Sequence, residues 1–332
     1  MSSPLLSVVI PVYNEAAGLP ALFARLYPAL DALQIGYEVI FVNDGSRDKS
    51  GALLKDQFAV RPDVTRVVFF NANYGQHLAI LAGFERVRGE RVVTLDADLQ
   101  NPPEEIHKLL AAMDDGADYV GGVRRVREDS WWRRSASRLM NRLRERITRI
   151  RMTDQGCMLR AYSRDIVDAV AAAREVSTYI PALAYTFAHH PVEVDVLHEE
   201  RAAGVSKYSM YRLIRLNFDL ITGFSLVPLQ LFSVAGMIVA LSSVVLYVFV
   251  IAQRAIVGGF IEGIKAFWDR DILAFFLIGC IMFGVGLLGE YVGRIYQQVR
   301  DRPRYVIRAV LERDVDAELP VRQGVESVRL IR

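Results

Sequence analysis

The stretch Thr94-Leu95-Asp96-Ala97-Asp98-Leu99-Gln100-Asn101-Pro102-Pro103 sets two carboxylates and an amide directly after an apolar run, Arg91 to Leu95, that reads as a buried strand. Side chains two apart on a strand point the same way. An extended backbone would therefore turn Asp96 and Asp98 into one crevice at the carboxyl edge of an open α/β sheet, with Gln100 continuing the row. Hard oxygen ligands suit Mg²⁺ or Mn²⁺, and Mg²⁺ usually takes one or two protein carboxylates while phosphate oxygens and water complete its shell. The chemistry implied is a metal-bound diphosphate facing Asp96 and Asp98; two solvated loop acids are the alternative that this segment alone leaves open. A calcium loop is excluded, because Asp96 as its first position would require glycine at 101 and glutamate at 107, where the chain has Asn101 and His107.

Short Val-, Ile- and Phe-rich runs must position those acids. Leu5 to Val12, Tyr37 to Val42, Val64 to Phe70, Arg91 to Leu95 and Asp118 to Gly122 read as strands with helices between them. Such alternation predicts an α/β domain on a mostly parallel, Rossmann-like sheet covered on both faces. Ligands gather at the carboxyl ends of such strands. There the chain carries Pro11-Val12-Tyr13-Asn14-Glu15, then Asn43-Asp44-Gly45-Ser46, then Asn73-Tyr74-Gly75-Gln76, then the Asp pair. Any one of these is explicable as turn chemistry; four at consecutive strand ends point to one shared site.

The 332-residue chain is 52% hydrophobic with a mean hydropathy of +0.21, too apolar for an ordinary soluble enzyme and long enough for two domains. The excess lies late. Leu231 to Ala252 is an uncharged run of 22 residues and Ile272 to Gly289 another of 18, each long enough to cross a bilayer as a helix. Lys207, Arg212 and Arg215 precede them and Arg294, Arg300, Arg302, Arg304 and Arg308 follow, so the positive-inside rule puts both flanks in the cytoplasm. Leu5 to Val12 is too short for a secretory signal and follows no basic region. Only Cys157 and Cys280 occur, the second inside an expected span, which argues against a disulfide framework; the net charge of +2 decides nothing.

Between sheet and spans, Trp131 to Met152 holds eight arginines and one acid, Glu145, with Trp132, Ala136, Leu139, Met140, Leu143, Ile147 and Ile150 at helical spacing. It predicts an amphipathic helix lying on the bilayer, and Tyr208 to Ile221 a second one leading into the first span. Two other patterns fail on context. Gly284-Val285-Gly286-Leu287-Leu288-Gly289 follows no strand, so it marks helix packing rather than a dinucleotide turn, and Gly289 with Gly293 suits close contact within or between subunits. His189, His190, Asp195 and His198 fit no zinc spacing, and Val192, Val194 and Val196 alternate as in a strand. Glu290 is the acid nearest a span and stands four residues before Arg294, at ion-pair spacing.

PVYNE, DGS, NYGQ and DADLQNPPEE in that order, then RAAGVSKY (Arg201 to Tyr208) and two late apolar spans, resemble the polyprenyl-phosphate glycosyltransferases of glycosyltransferase family 2. NYGQHLAILAGF, DSWWRRSASRLMNRL, DQGCMLRAYSRDIVDA and GLLGEYVGRIY are similar to members that load undecaprenyl phosphate with 4-deoxy-4-formamido-L-arabinose for lipid A modification. Transfer of glucose or another sugar is the alternative within the family; a membrane scaffold without catalysis is the alternative outside it.

The resemblance implies a GT-A fold and an inverting transfer from a UDP-sugar donor to undecaprenyl phosphate. It also implies Mg²⁺ or Mn²⁺ as cofactor, a lipid bilayer but no nucleic acid as partner, a homo-oligomer, and a place in the bacterial inner membrane. It assigns Pro11, Tyr13, Glu15 and Asp44 to the nucleoside, Asp96, Asp98 and Gln100 to the metal, and Lys207 to the diphosphate. From the more distant dolichol-phosphate mannose synthases it carries Arg124, Arg133, Ser137 and Arg201 to the lipid phosphate, so catalysis would fall to Asp96, Asp98 and Arg201. Asn43 departs from the family's Asp-Asp-Gly-Ser, which bears on the base contacts. An acceptor phosphate with a second pKa near 6 needs no general base; Asp154, a candidate by position, reads better as an N-cap or ion-paired acid.

The expected organisation is a cytoplasmic GT-A domain over 1–225, with interfacial helices at about 131–152 and 208–221. Two spans follow at about 229–252 and 272–293 within 226–295, then a cytoplasmic tail over 296–332.

Overall fold

The computed structural model describes residues 4–124, 152–154, 156–173, 179–199, parts of 229–245, 262–299 and 303–313. The interfacial helices expected at 131–152 and 208–221 lie outside these residues but for Met152, as do Arg133, Ser137, Arg201, Lys207 and the latter part of the first expected span.

In chain order the elements are β1 (Leu6–Val12), α1 (Leu19–Asp31), β2 (Tyr37–Asn43), α2 (Ser50–Val60), β3 (Thr65–Phe70), α3 (Gln76–Phe84), β4 (Arg91–Thr94) and α4 (Ile106–Asp114). There follow β5 (Tyr119–Arg124), β6 (Arg160–Ser163), α5 (Arg164–Ala172), α6 (Ile180–Phe187), β7 (Pro191–Val196), α7 (Glu262–Val299) and β8 (Ile307–Leu311). The strands form one sheet in the order β7-β5-β6-β4-β1-β2-β3-β8. The pairs β1–β2, β1–β4, β2–β3 and β5–β7 are parallel, whereas β6 runs antiparallel between β4 and β5, and β8 antiparallel along β3.

A sheet buried on both faces demands strands that are apolar nearly throughout, and β2 is buried at every one of its positions. Alternate side chains serve opposite layers: Val8 and Ile10 join Leu22, Leu26, Phe41 and Leu109 on one face, while Val9 joins Ile40, Ile80, Phe84 and Tyr162 on the other. Helix α1 presents Leu19, Leu22, Leu26 and Leu30 at helical spacing to the first layer, with a proline in its first turn, where the missing N–H has no intrahelical partner to lose.

The expected strands recur with their ends displaced by a residue or two, and Val192 to Val196 does lie in a strand, β7. The sheet is longer than expected. Part of the stretch read as a tail, Ile307–Leu311, is its eighth strand. Helix α7 begins at Glu262, ten residues before the run of 18, and continues to Val299. At Gly284 a Cβ would collide with the edge of the Phe232 ring, and the Phe232 and Phe283 rings lie 6.0 Å apart, so this glycine does mark close helix packing. Among the described residues no helix is long and apolar enough to cross a membrane.

Polar groups at the amino edge tie β1, β2, β3 and β8 together. Glu38, 5% exposed, accepts from Ser7 Oγ (2.7 Å), Arg66 Nη1 (2.9 Å) and the Arg88 amide (2.6 Å). Arg66 Nη2 and Arg88 Nη2 then reach Glu312 Oε2 beyond β8 at 2.7 and 3.1 Å. Removing one partner of a buried ion pair strands the other charge. Glu38→Ala is expected to destabilise the purified protein by about 3 kcal/mol, and Glu312→Ala, at the wetter end, by about 1 kcal/mol; thermal and denaturant melts check the order.

Candidate active site

At the carboxyl edge the four polar clusters are joined by hydrogen bonds. The Asn14 amide donates to Ser46 Oγ (3.0 Å), the Glu15 amide to Ser50 Oγ (2.9 Å), and the Arg47 amide to Asn14 Oδ1 (2.8 Å), so the loops after β1 and β2 form one unit. Tyr13 projects from it with 43% of its surface exposed, while Pro11 and Glu15 are half-buried. Asn43 is buried and its Oδ1 accepts from the Ser46 amide (2.8 Å). An amide here keeps the turn and avoids a second negative charge beside Asp44.

Asp44 is 2% exposed. Its Oδ1 accepts from the Tyr74 amide (2.6 Å) and its Oδ2 from the Gly75 amide (2.8 Å). Burial raises its pKa against the pull of those two amides. The carboxylate expected to meet a nucleoside thus holds the loop that opens α3. Gly45 allows the approach: its φ is +66° and a Cβ would collide with the Ala72 carbonyl.

From that loop Gln76 Nε2 donates to Asp96 Oδ1 (2.6 Å). The premise that Asp96 and Asp98 extend the strand is corrected here: β4 ends at Thr94, the Leu95 amide makes the last bond to Val9 O (3.1 Å), and residues 97–98 turn. Leu99 adopts φ +60°, a strained conformation for a leucine, with its side chain 5% exposed in the core. Buried Leu99 pins the turn, and Asp98 Oδ1 accepts from the Gln100 amide (3.1 Å). A pinned turn, then, sets the two acids at the edge, and both are half-buried. Among the described residues no three His, Cys, Asp or Glu side chains cluster as a metal site. Two carboxylates and an amide still fit a Mg²⁺ that shares phosphate oxygens.

Arg124, at the end of β5, grips Asp154 through Nε (2.5 Å) and Nη2 (2.7 Å). Burial would raise Asp154, but the Arg124 bonds and charge outweigh it and hold the carboxyl below its ordinary range. Asp154 is thus an ion-paired acid, as expected, and the fork of Arg124 that the resemblance gives to a lipid phosphate faces a carboxylate. Arg160, 1% exposed, supports the same turn by donating to Asp154 O (2.6 Å), Cys157 O (2.8 Å) and the Tyr119 hydroxyl (2.5 Å). Sequence reasoning missed Arg160; its one signal is an arginine inside an apolar run.

A second missed group is Arg25 of α1. It holds Glu104 by Nε and Nη2 (both 2.9 Å) and Glu199 by Nη1 (2.8 Å) and Nη2 (3.0 Å). The Glu199 amide also donates to Gln100 O (2.9 Å), so the chain that leads into Arg201 departs beside the acid turn. His189 and His190 donate backbone amides to Asp118 (2.5 and 2.9 Å).

The model of Glycosyl transferase family 2 matches residues 7–171. The undecaprenyl-phosphate 4-deoxy-4-formamido-L-arabinose transferase of Aeromonas hydrophila subsp. hydrophila is 47% identical over 97% of this chain and 98% of its own. That of Serratia proteamaculans is 50% identical over 92% and 93%, and that of Pseudomonas aeruginosa 50% identical over 92% and 90%. Among solved structures, glucosyl-3-phosphoglycerate synthase from Mycobacterium tuberculosis is a distant likeness, at TM-score 0.45 and 17% identity over 66% of this chain and 78% of that one. With relatives about half identical along nearly its whole length, this chain belongs to glycosyltransferase family 2, among the undecaprenyl-phosphate 4-deoxy-4-formamido-L-arabinose transferases.

Proposed function

We propose that the protein transfers 4-deoxy-4-formamido-L-arabinose from a UDP donor to undecaprenyl phosphate, with inversion, at the cytoplasmic face of the bacterial inner membrane. The observation that carries a nucleotide-sugar site is the linkage at the sheet edge, where Asp44 holds the loop that carries Gln76 and Gln76 holds Asp96. The names of the relatives supply the sugar and the acceptor. The exposed Tyr13 offers a ring to the uracil from the stitched loop over β1 and β2. Asp96, Asp98 and Gln100 are the groups that would hold Mg²⁺ or Mn²⁺. Such an ion, when bound, neutralises charge on the leaving diphosphate.

The acceptor phosphate is anionic at neutral pH and attacks without a base. Asp154 is engaged by Arg124, which accords with a mechanism that asks no proton transfer of it. Arg201 and Lys207 follow the anchored Glu199 in sequence, and with Arg133 and Ser137 they are the groups of the right chemistry for phosphate recognition.

The path of the chain supports membrane anchoring. Residues after α7 return to the sheet as β8, so any crossings between Glu199 and Ile307 are even in number. Two match the two uncharged runs. Ile278, Ile281, Met282, Phe283, Val285 and Leu288 are exposed along α7, an apolar face that a bilayer surface would cover.

Three measurements test this reading. Asp98→Asn should lower kcat/KM about a hundredfold or more, about 3 kcal/mol, while the protein stays folded and membrane-bound; undiminished transfer by this variant in excess chelator refutes the metal role. Tags at either terminus should be accessible only from the cytoplasm and a tag at Gly259 only from outside, so a terminus labelled from the periplasm refutes two crossings. Arg201→Ala should raise the undecaprenyl phosphate KM roughly tenfold, with Arg201→Lys only partly restoring it. A matching loss of UDP affinity by calorimetry would move Arg201 to the donor.

A further inference from the structure

Strand β8 is irregular against β3. Leu311, Val310 and Ala309 pair with Val67, Val68 and Phe69 in turn, but Phe70 then pairs with Ile307. Three residues of β8, Ile307, Arg308 and Ala309, thus stand opposite two of β3, a bulge next to the carboxyl edge of the sheet. Because side chains alternate, one extra residue turns everything beyond it to the other face. Leu311 accordingly packs in the layer of α1, whereas Ile307 and Tyr305 pack in the layer of α3. A regular strand would have turned Tyr305 away from α3.

The bulge delivers a ring against the loop that opens α3. Tyr305 stacks on Phe70, with centroids 4.8 Å apart and planes at 17°. Phe70 meets Tyr74 edge to face at 5.6 Å. The Tyr74 hydroxyl donates to Asn71 Oδ1 (2.7 Å) and the Asn71 amide to Val306 O (3.1 Å), which closes a circuit of contacts. The Tyr305 hydroxyl also donates to Glu85, the residue that follows α3. Tyr74 in turn gives its amide to the Asp44 carboxylate (2.6 Å), so every link from Tyr305 to Asp44 is a contact. Asp44 fixes only the backbone of Tyr74. The half-buried side chain needs a second restraint, and Phe70 and Asn71 supply it. Closing the sheet edge does not by itself call for the bulge, since a regular ladder keeps the bonds that a bulge gives up.

We propose that Tyr305 is a positioning residue for the nucleotide donor: through Phe70 and Tyr74 it sets the Asp44 carboxylate and the loop bound to it in the place that UDP requires. The proposal rests on the UDP donor assigned under Proposed function. Tyr305 touches no substrate atom itself. It acts from the segment that returns from α7 to the sheet, so the chain beyond the apolar runs has a part in donor binding as well as in closing the edge.

The test uses the full-length enzyme, with UDP titrated by calorimetry in Mg²⁺ and transfer followed from the UDP donor. Tyr305→Ala removes the ring and should weaken UDP binding and raise the donor KM roughly fivefold or more, with kcat falling less. Tyr305→Phe keeps the ring and loses only the bond to Glu85, so its UDP affinity should return to within about twofold of wild type. Glu312→Ala loosens β8 at the amino edge and should lower the melting temperature with UDP affinity unchanged. A purely structural Tyr305 gives another pattern: Tyr305→Ala would melt early, like Glu312→Ala, and bind UDP as wild type does, a result that overturns the proposal. A fall in kcat at unchanged UDP affinity, or a loss that Tyr305→Phe does not restore, overturns it as well. Should Tyr305→Ala fail to fold, Tyr305→Leu, which covers Phe70 without the stack, decides: weaker UDP binding supports the proposal and wild-type binding overturns it. A wild-type enzyme that does not bind UDP refutes the functional reading instead.

Discussion

The Asp44 carboxylate gives both oxygens to the amides of Tyr74 and Gly75, and the order of the sheet edge follows from that pair of bonds. Strands β2 and β3 are neighbours, but their pairing fixes only the strands. The loops above them need their own restraint. Buried and desolvated, Asp44 supplies a stronger one than a surface acid, since a charged acceptor out of water gains more from each amide. With Tyr74 and Gly75 fixed, α3 starts at a defined point, Gln76 meets Asp96 and His77 meets Tyr179.

How much of this is legible in the sequence depends on the range of each interaction. Buried strands show as apolar runs because every position faces a packed layer, and their carboxyl ends show as Asn, Asp, Gly and Pro clusters because the chain turns there. The four clusters are neighbours as expected. The conformation of the acid turn is hidden: alternation assumes an extended chain, whereas buried Leu99 at φ +60° bends it. Hidden too are partners far apart in sequence. Arg25 lies 79 residues from Glu104 and 174 from Glu199, and no spacing rule joins them. Arg124 with Asp154 crosses residues outside the described set, and only the fold brings them together.

The buried cation Arg160 illustrates a second limit. Among the described residues it has no carboxylate partner and is satisfied by two carbonyls and the Tyr119 hydroxyl. A buried charge is costly unless hydrogen bonds satisfy it, as these three do. Its cost is offset by fixing the carbonyls of Asp154 and Cys157, so that Asp154 is held where the fork of Arg124 reaches it.

Strand β8 also has a meaning in time. During synthesis β3 is the open edge of the growing sheet, with Val67, Val68, Phe69 and Phe70 along it. Its cover emerges roughly 240 residues later, on the order of 10–50 s at ordinary elongation rates. Until then the edge is a template for any passing strand. Because the apolar runs lie between β3 and β8, both emerge before the edge is closed. The final strand completes assembly as a clasp, and an edge left open by its loss would invite pairing with a second chain.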